Sequence, residues 1–171
     1  MIQNSLWQQL DTGLRRGIPT ILTLLLLFVG VLPWHIHGLS SISTGFVLIS
    51  VYFWTLHQPQ LMNMWLVAAI GIAGDILGTA PLGVGTVVLL TAFGLTNAQR
   101  KILTGAPFVL VWGGFLLIAA ITTILQWLLS SLVEEAFIDP QPALFLCVVT
   151  VVCYPPLSYF FTGVQRRLLR V

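Results

Sequence analysis

The sequence has 171 residues, of which 57% are hydrophobic and only 7% are charged. A soluble globular protein carries about 25% charged residues, so this composition excludes a surface that faces water on all sides. Its natural solvent is lipid. A membrane-spanning helix takes about 20 apolar residues, which leaves room for roughly six or seven spans and for no separate catalytic domain. The seven basic residues are scattered along the chain and do not form a nucleic-acid-binding surface.

The first 17 residues are polar and form a short cytoplasmic segment in our interpretation. Apolar residues recur there at every fourth position: Ile2, Leu6, Leu10 and Leu14. This spacing is typical of an amphipathic helix that lies on a membrane surface. A partly ordered tail is the alternative.

Six apolar segments follow, and we predict that each is a transmembrane helix. They cover residues 18–34, 39–56, 61–77, 82–95, 102–133 and 143–161. The first segment is longer than a signal-peptide core and no Ala-x-Ala site follows it, so we expect a retained helix. The sequence therefore predicts an all-α transmembrane domain over residues 18–165 and a basic cytoplasmic tail over residues 166–171.

The charged residues predict the orientation in the membrane. With six spans and a cytoplasmic N-terminus, all seven basic residues lie on the cytoplasmic side: Arg15, Arg16, Arg100, Lys101, Arg166, Arg167 and Arg170. The acidic residues of the last connection lie on the opposite side: Glu134, Glu135 and Asp139. Because cytoplasmic loops are rich in Lys and Arg, this separation favours six spans with both termini inside. Without a second span, Arg100, Lys101 and the tail would move outside.

Asp75 is the only acidic residue within an apolar segment. An Asp at the centre of a membrane-spanning helix costs about 2.5–3.5 kcal/mol on insertion scales, and Asp75 lies in the outer half of its segment, where the cost is smaller. Because small residues surround it, we expect it to face a protein neighbour rather than lipid. Gly71 and Gly78 share its helical stripe, and Gly74 with Gly78 forms a Gly-x-x-x-Gly pair that permits close helix packing. The partner of the carboxylate is a hydroxyl group, a backbone group in the turn at residues 81–83, or another subunit. We favour a structural hydrogen bond over a ligand or proton site.

We predict neither an enzyme nor a metal site. Aspartyl proteolysis within a membrane requires two carboxylates, and a proton relay uses several ionisable groups. His35 and His37 have no third metal ligand nearby, and the two cysteines have no second pair with which to bind zinc. Gly83-x-Gly85 is not followed by the Gly-Lys-Ser/Thr of a phosphate-binding loop. His57, Pro59, Arg100 and Lys101 are candidates for a contact with a cytoplasmic partner.

Two strings carry a resemblance to a known family, "YFWTLHQPQL" at residues 52–61 and "GIAGDILGTAPLGVG" at residues 71–85. The chain resembles the MreD family, in which a Pro in an inner turn precedes a Gly-rich helix with one Asp and then Pro-Leu-Gly. The matching positions are Gly71, Asp75, Gly78, Pro81, Leu82 and Gly83. Relatives often carry charges where Gln58 and Gln60 flank Pro59, which weakens the case for an electrostatic contact there.

The resemblance implies a multi-pass protein of the bacterial inner membrane that has no cofactor. MreD proteins act with MreC, and through it with RodA, the elongation-specific transpeptidase and the MreB cytoskeleton, in rod shape and lateral peptidoglycan synthesis. The implied fold is similar to the substrate-binding subunits of energy-coupling-factor transporters. The expected packing and partner interface is Gly71, Gly74, Asp75, Gly78, Pro81, Leu82 and Gly83. The alternative is a subunit that binds a small molecule for a transporter.

Overall fold

The computed structural model describes residues 20–28, 42–78, 81–134 and 139–168. These ranges contain six helices and no strand, which confirms the predicted all-α class. Helix α1 covers residues 20–28. The others are α2 (Ile42–His57), α3 (Met64–Leu77), α4 (Val84–Leu103), α5 (Phe108–Val133) and α6 (Gln141–Leu168). The amphipathic N-terminal segment, the histidine pair at 35 and 37 and the last three residues lie outside the described ranges, so the predictions about them stay predictions.

Two of the described helices are long and apolar enough to cross a membrane by length and composition. They are α5 over Phe108–Val133 and α6 over Gln141–Arg166. Helices α2 and α3 are also apolar, but they have 16 and 14 residues, fewer than the about 20 that a span usually takes. Helix α4 has 20 residues, and its second half carries polar groups such as Asn97 and Arg100. The count of six spans therefore stays a prediction.

Helix α2 forms the centre of the structure. It packs against α4 and α6, while α4 also contacts α3 and α5, and α5 contacts α6. Every residue from 47 to 56 is buried, including the hydroxyl side chain of Ser50. The Ser50 Oγ atom lies 2.7 Å from Thr23 Oγ1 of α1, so a hydrogen bond joins the two helices. A helix that is buried all round needs apolar residues on every face, which explains its lack of an amphipathic pattern.

An aromatic cluster joins α2 to α5 and α6. The ring centroid of Phe115 lies 5.1 Å from that of Tyr52 and 4.5 Å from that of Tyr154. The Tyr52 hydroxyl donates a hydrogen bond to the Val111 carbonyl at 2.8 Å, so its polar end is also satisfied. Aromatic pairs at these separations add about 0.5–1.5 kcal/mol beyond burial. The cluster therefore fixes how three helices meet in the core.

Helix α6 continues through two adjacent proline residues, Pro155 and Pro156. Because Pro155 has no N–H group, the carbonyl of Val151 loses its usual partner four residues later. The indole Nε1–H of Trp112 in α5 donates to this Val151 carbonyl over 3.2 Å. A side chain from the neighbouring helix thus replaces the backbone hydrogen bond that proline removes.

Helix α4 extends beyond the predicted segment, which ends at residue 95. It continues to Leu103 and includes Arg100 and Lys101 in its last turn. Positive side chains are favourable there because the C-terminal end of a helix dipole is negative. Thr104 caps the helix, since its N–H donates to the Arg100 carbonyl at 2.9 Å and its hydroxyl donates to the same atom at 2.7 Å. Gly105 then takes a left-handed conformation with φ of 84°, which turns the chain toward α5.

Candidate functional site

The site that the sequence predicts around Asp75 lies where α3 ends and α4 begins. Helix α4 starts with Gly83 at its N-cap position, where φ is 95° and no side chain is present to cap the helix. The first N–H groups of a helix have no intrahelical acceptor, and a Ser, Thr, Asp or Asn at the N-cap usually supplies one. This helix therefore needs an acceptor from elsewhere in the chain.

Asp75, in the last turn of α3, supplies that acceptor. Its Oδ2 atom accepts the Gly83 N–H at 3.0 Å, the Thr86 N–H at 3.0 Å and the Thr86 hydroxyl at 2.7 Å. Its Oδ1 atom accepts the Gly85 N–H at 2.9 Å. We call this arrangement the Asp75 cap. A residue of one helix thus performs the N-capping role for the next helix.

Close backbone approach makes the Asp75 cap possible. A Cβ atom on Gly85 would collide with Asp75 Oδ1, so only glycine leaves room for the carboxylate. A Cβ atom on Gly71 would lie 2.7 Å from the Cα atom of Thr86, which means that α3 and α4 touch backbone to backbone at this level. Small residues permit this kind of contact between membrane helices. Gly71 and Asp75 therefore act on α4 of the same chain.

The electrostatics of the Asp75 cap favour a buried carboxylate. Asp75 is only 6% exposed, yet its four hydrogen bonds satisfy both oxygen atoms. Its negative charge also lies at the positive N-terminal end of the α4 dipole. Within the described residues, no group of three or more His, Cys, Asp or Glu side chains is arranged to hold a metal ion. The arrangement serves to fasten two helices together.

The other predicted interface residues divide into packed and exposed positions. Gly74 packs inward, because a Cβ atom there would lie 3.3 Å from Leu27 Cδ1 of α1. Gly78 ends α3, and its N–H donates to the Gly74 carbonyl at 2.8 Å. Pro81 is half-buried, and its carbonyl accepts the Val84 N–H at 3.2 Å. Leu82 is 77% exposed. The predicted interface residues therefore do not form one surface, since Gly74 is packed against α1 whereas Leu82 is exposed.

A second feature, a cleft of about 440 Å³, opens at the other end of the same helices. Its polar lining residues are Gln60, Asn63, Asn97 and Arg100, and its apolar ones are Pro59, Met62 and Phe93. We call it the α2–α4 cleft, because it lies between the α2–α3 connection and the last turns of α4. Pro59 and Arg100 are among the residues that the sequence predicts for a cytoplasmic contact, and the other lining residues are not. In the sequence, Gln60, Asn63 and Asn97 are recognisable only as polar side chains near the ends of apolar segments.

Two other candidates for a cytoplasmic contact, His57 and Lys101, do not line this cleft. The imidazole ring of His57 stacks on Phe53 with a centroid separation of 4.2 Å. Its Nδ1 atom lies 3.0 Å from the Phe53 carbonyl, one turn earlier in α2. Lys101 is exposed on the neighbouring face of α4. The structure therefore brings together only two of the four predicted residues.

The described ranges are all helical, two of their helices could cross a membrane, and Asp75, the one buried acid among them, forms its hydrogen bonds within the chain. The family model described as rod shape-determining protein MreD matches residues 12–164, which is most of the chain. The chain therefore belongs to the MreD family of membrane proteins, whose role is in determining rod shape. No curated protein and no solved structure matches the chain. The likeness to substrate-binding subunits of energy-coupling-factor transporters accordingly stays a prediction.

Proposed function

We propose that this protein is a non-catalytic subunit of the bacterial cell-elongation complex in the inner membrane. It binds MreC and, through MreC, associates with RodA, the elongation-specific transpeptidase and MreB to support rod shape and lateral peptidoglycan synthesis. The family match over residues 12–164 supports this role. The observation that supports a non-catalytic role is that Asp75, the one acid buried in the described helices, accepts four hydrogen bonds in capping α4. Both of its oxygen atoms therefore already have partners within the chain.

We further propose six spans with both termini in the cytoplasm. Arg100, Lys101 and Arg166 lie at the ends of α4 and α6, while Glu134 and Asp139 lie at the opposite ends of α5 and α6. The position of the Lys and Arg residues on one side follows the positive-inside rule. Helices α2 and α3 are short for a span, but protein surrounds α2, and a membrane adapts to a short helix by local thinning. The Asp75 cap then lies on the outer side and the α2–α4 cleft on the inner side.

The partner surface in this proposal is the outer half of α3 with the connection to α4. Ile72 and Ile76 are four residues apart on one face of α3, and they are 52% and 67% exposed. Leu82 in the following connection is 77% exposed. We call these three residues the outer α3 face. The Asp75 cap holds the connection in place, so the single membrane helix of MreC packs against a preformed apolar surface. Asp75 supports that contact without touching the partner.

Co-purification with MreC from the same organism in mild detergent tests this proposal. We expect wild-type protein to bring MreC with it, and Ile72→Ala with Ile76→Ala to lose most of the MreC. The matched control is Leu128→Ala with Leu132→Ala on α5, two apolar side chains that are also exposed and four residues apart. It should retain MreC. Equal recovery from both double variants would refute the outer α3 face as the partner surface.

The same two double variants test the cellular role. In cells that lack the chromosomal copy, wild-type protein and the α5 control should restore rods of normal width. The α3 double variant should leave rounded cells at equal protein levels, because its contact with the elongation complex is weakened. Normal rods with the α3 variant, together with normal MreC recovery, would contradict the proposed function.

A further inference from the structure

The polar groups of the α2–α4 cleft are suited to bind an anion. Arg100 contributes a guanidinium group, and Gln60, Asn63 and Asn97 contribute carboxamide groups that can donate hydrogen bonds. No acidic side chain lines the cleft within the part of the chain that the structure describes. A site with one cation, several neutral donors and no acid favours a negatively charged ligand. Its volume of about 440 Å³ is within the range of small-molecule sites.

Arg100 has a different setting from its neighbour Lys101, although both lie in the last turn of α4. Arg100 is half-buried and lines the cleft, whereas Lys101 is exposed and does not. Neither forms an ion pair with an acidic residue of the described ranges, whose acids are Asp75, Glu134 and Asp139. A guanidinium group is planar and binds phosphate oxygens in pairs, which an ammonium group does not. The cleft therefore holds the cation that is better suited to phosphate.

The surroundings of the cleft indicate the kind of molecule that carries the anion. Met64 and Trp65, directly after the cleft residue Asn63, are exposed, and the Trp65 side chain is 82% exposed. Ile102, two residues after Arg100, is 79% exposed. Large apolar side chains beside polar ones are typical of the depth at which lipid headgroups meet acyl chains, and Trp is enriched there. Pro59 and Phe93, which are half-buried, give the cleft an apolar wall that suits a lipid better than a free ion, whereas Met62 is almost fully buried.

We propose that the α2–α4 cleft binds the phosphate headgroup of an anionic phospholipid from the inner leaflet. The guanidinium of Arg100 binds the phosphate, the three carboxamides bind the remaining headgroup oxygens, and Pro59 and Phe93 contact the start of the acyl chains. The inner-leaflet assignment rests on the membrane arrangement proposed above. Binding of the lipid itself does not depend on MreC or on the elongation complex.

The test uses the full chain in nanodiscs that contain equal amounts of phosphatidylglycerol and phosphatidylcholine, followed by transfer into mild detergent. Native mass spectrometry then counts the retained lipids. We expect wild-type protein to retain one phosphatidylglycerol in preference to phosphatidylcholine. Arg100→Gln should bind it about tenfold less tightly, because a charge-assisted hydrogen bond is lost. Lys101→Gln removes the same charge one residue away and should retain the lipid as wild type does.

Further variants and ligands separate the alternatives. Arg100→Lys should restore only part of the binding, and Asn97→Leu should weaken it without any change of charge. Equal loss of lipid from Arg100→Gln and Lys101→Gln would overturn the proposal, since only general surface charge would then matter. Inorganic phosphate that raises the melting temperature as much as phosphatidylglycerol would also overturn it, since the ligand would be a soluble anion. Retained lipid without MreC recovery would leave the cleft assignment intact and refute the proposed function instead.

Discussion

The two ends of α4 use charged side chains in opposite ways. At its start, Asp75 of α3 accepts four hydrogen bonds from three residues, and both carboxylate oxygens are satisfied within the chain. At its end, Arg100 lines an open cleft and forms no ion pair with any acid of the described residues. Both oxygen atoms of Asp75 therefore have hydrogen-bond partners within the chain. The Arg100 side chain instead lines a space in which a ligand can bind.

This difference separates a structural role from a binding role. A buried charge is stable only when hydrogen bonds or ion pairs replace the water that it loses. Asp75 meets that condition without any ligand, so its loss should harm folding. Arg100 keeps access to solvent at the cleft, so its loss should harm binding while folding is little affected. We therefore expect Asp75→Asn to lower the free energy of unfolding and Arg100→Gln to weaken ligand binding.

The largest expected effect is that of Asp75→Asn on stability. An amide in this position loses at least one hydrogen bond and turns an NH₂ group toward backbone N–H donors. We expect the free energy of unfolding in detergent micelles to fall by about 2–4 kcal/mol. Titration with a denaturing detergent, followed by circular dichroism, measures it on the isolated protein.

Asp139→Asn is the matched control, because its Oδ1 atom accepts only the Gln141 N–H at 3.1 Å and the residue is exposed. Its cost should stay below about 1 kcal/mol. Equal costs at the two aspartates would mean that the Asp75 cap has no special role in stability.

Gly85→Ala should give the next largest effect. The added Cβ atom collides with Asp75 Oδ1 and forces α4 away from the carboxylate. We expect a loss of about 1–3 kcal/mol in the same titration, as is usual for overpacking. Gly94→Ala is the control within the same helix, because a Cβ atom at Gly94 meets nothing within 4 Å. That substitution should be neutral or stabilise by about 0.5–1 kcal/mol, since alanine favours helix. The reverse order would contradict the contact between Gly85 and Asp75.

A smaller effect is expected where a side chain replaces a backbone partner in α6. Trp112→Phe removes the indole N–H that donates to the Val151 carbonyl, and we expect a loss of about 0.5–1.5 kcal/mol. In a Pro155→Ala background the backbone N–H is restored, so Trp112→Phe should then cost less. A double-mutant cycle measures this coupling. Additive costs would show that the indole donor does not compensate for Pro155.

The smallest effect on folding is expected for Arg100→Gln. Without lipid, the substitution removes only the favourable interaction with the α4 dipole, and the free energy of unfolding should change by less than about 1 kcal/mol. The same titration in lipid-free detergent measures it, and Lys101→Gln is the control. A loss as large as that of Asp75→Asn would mean that Arg100 has a structural partner within the chain, and the comparison between the two ends of α4 would fail.

The sequence predicts much of this architecture for clear physical reasons. Composition predicts the all-α class, because a chain with 7% charged residues leaves few alternatives to apolar helices. The last turns of α4 are harder to predict, because Asn97, Gln99 and Arg100 are polar although the backbone stays helical. The path of α6 through Pro155 is also not predictable locally, since the compensating donor Trp112 comes from another helix.

The Asp75 cap is partly visible in the sequence. The spacing of Gly71 and Asp75 predicts a packed face, and the alternatives for the carboxylate included a hydroxyl and the backbone of the following turn. The structure contains both kinds of partner. The sequence also contains a helix start, Gly83-x-Gly85, that lacks a capping side chain, and the Asp75 cap explains how this start is satisfied. The α2–α4 cleft gives no such signal, because its lining residues are far apart in the chain.

Amide hydrogen exchange at the start of α4 is the most direct test of the role of Asp75. We predict that the N–H groups of Gly83, Gly85 and Thr86 exchange slowly in the isolated wild-type protein and at least about tenfold faster in Asp75→Asn. Amides in the middle of α5 serve as an internal reference and should change much less. Equal exchange rates in the two proteins, with MreC recovery lost in the variant, would contradict the account and place Asp75 in direct contact with a partner.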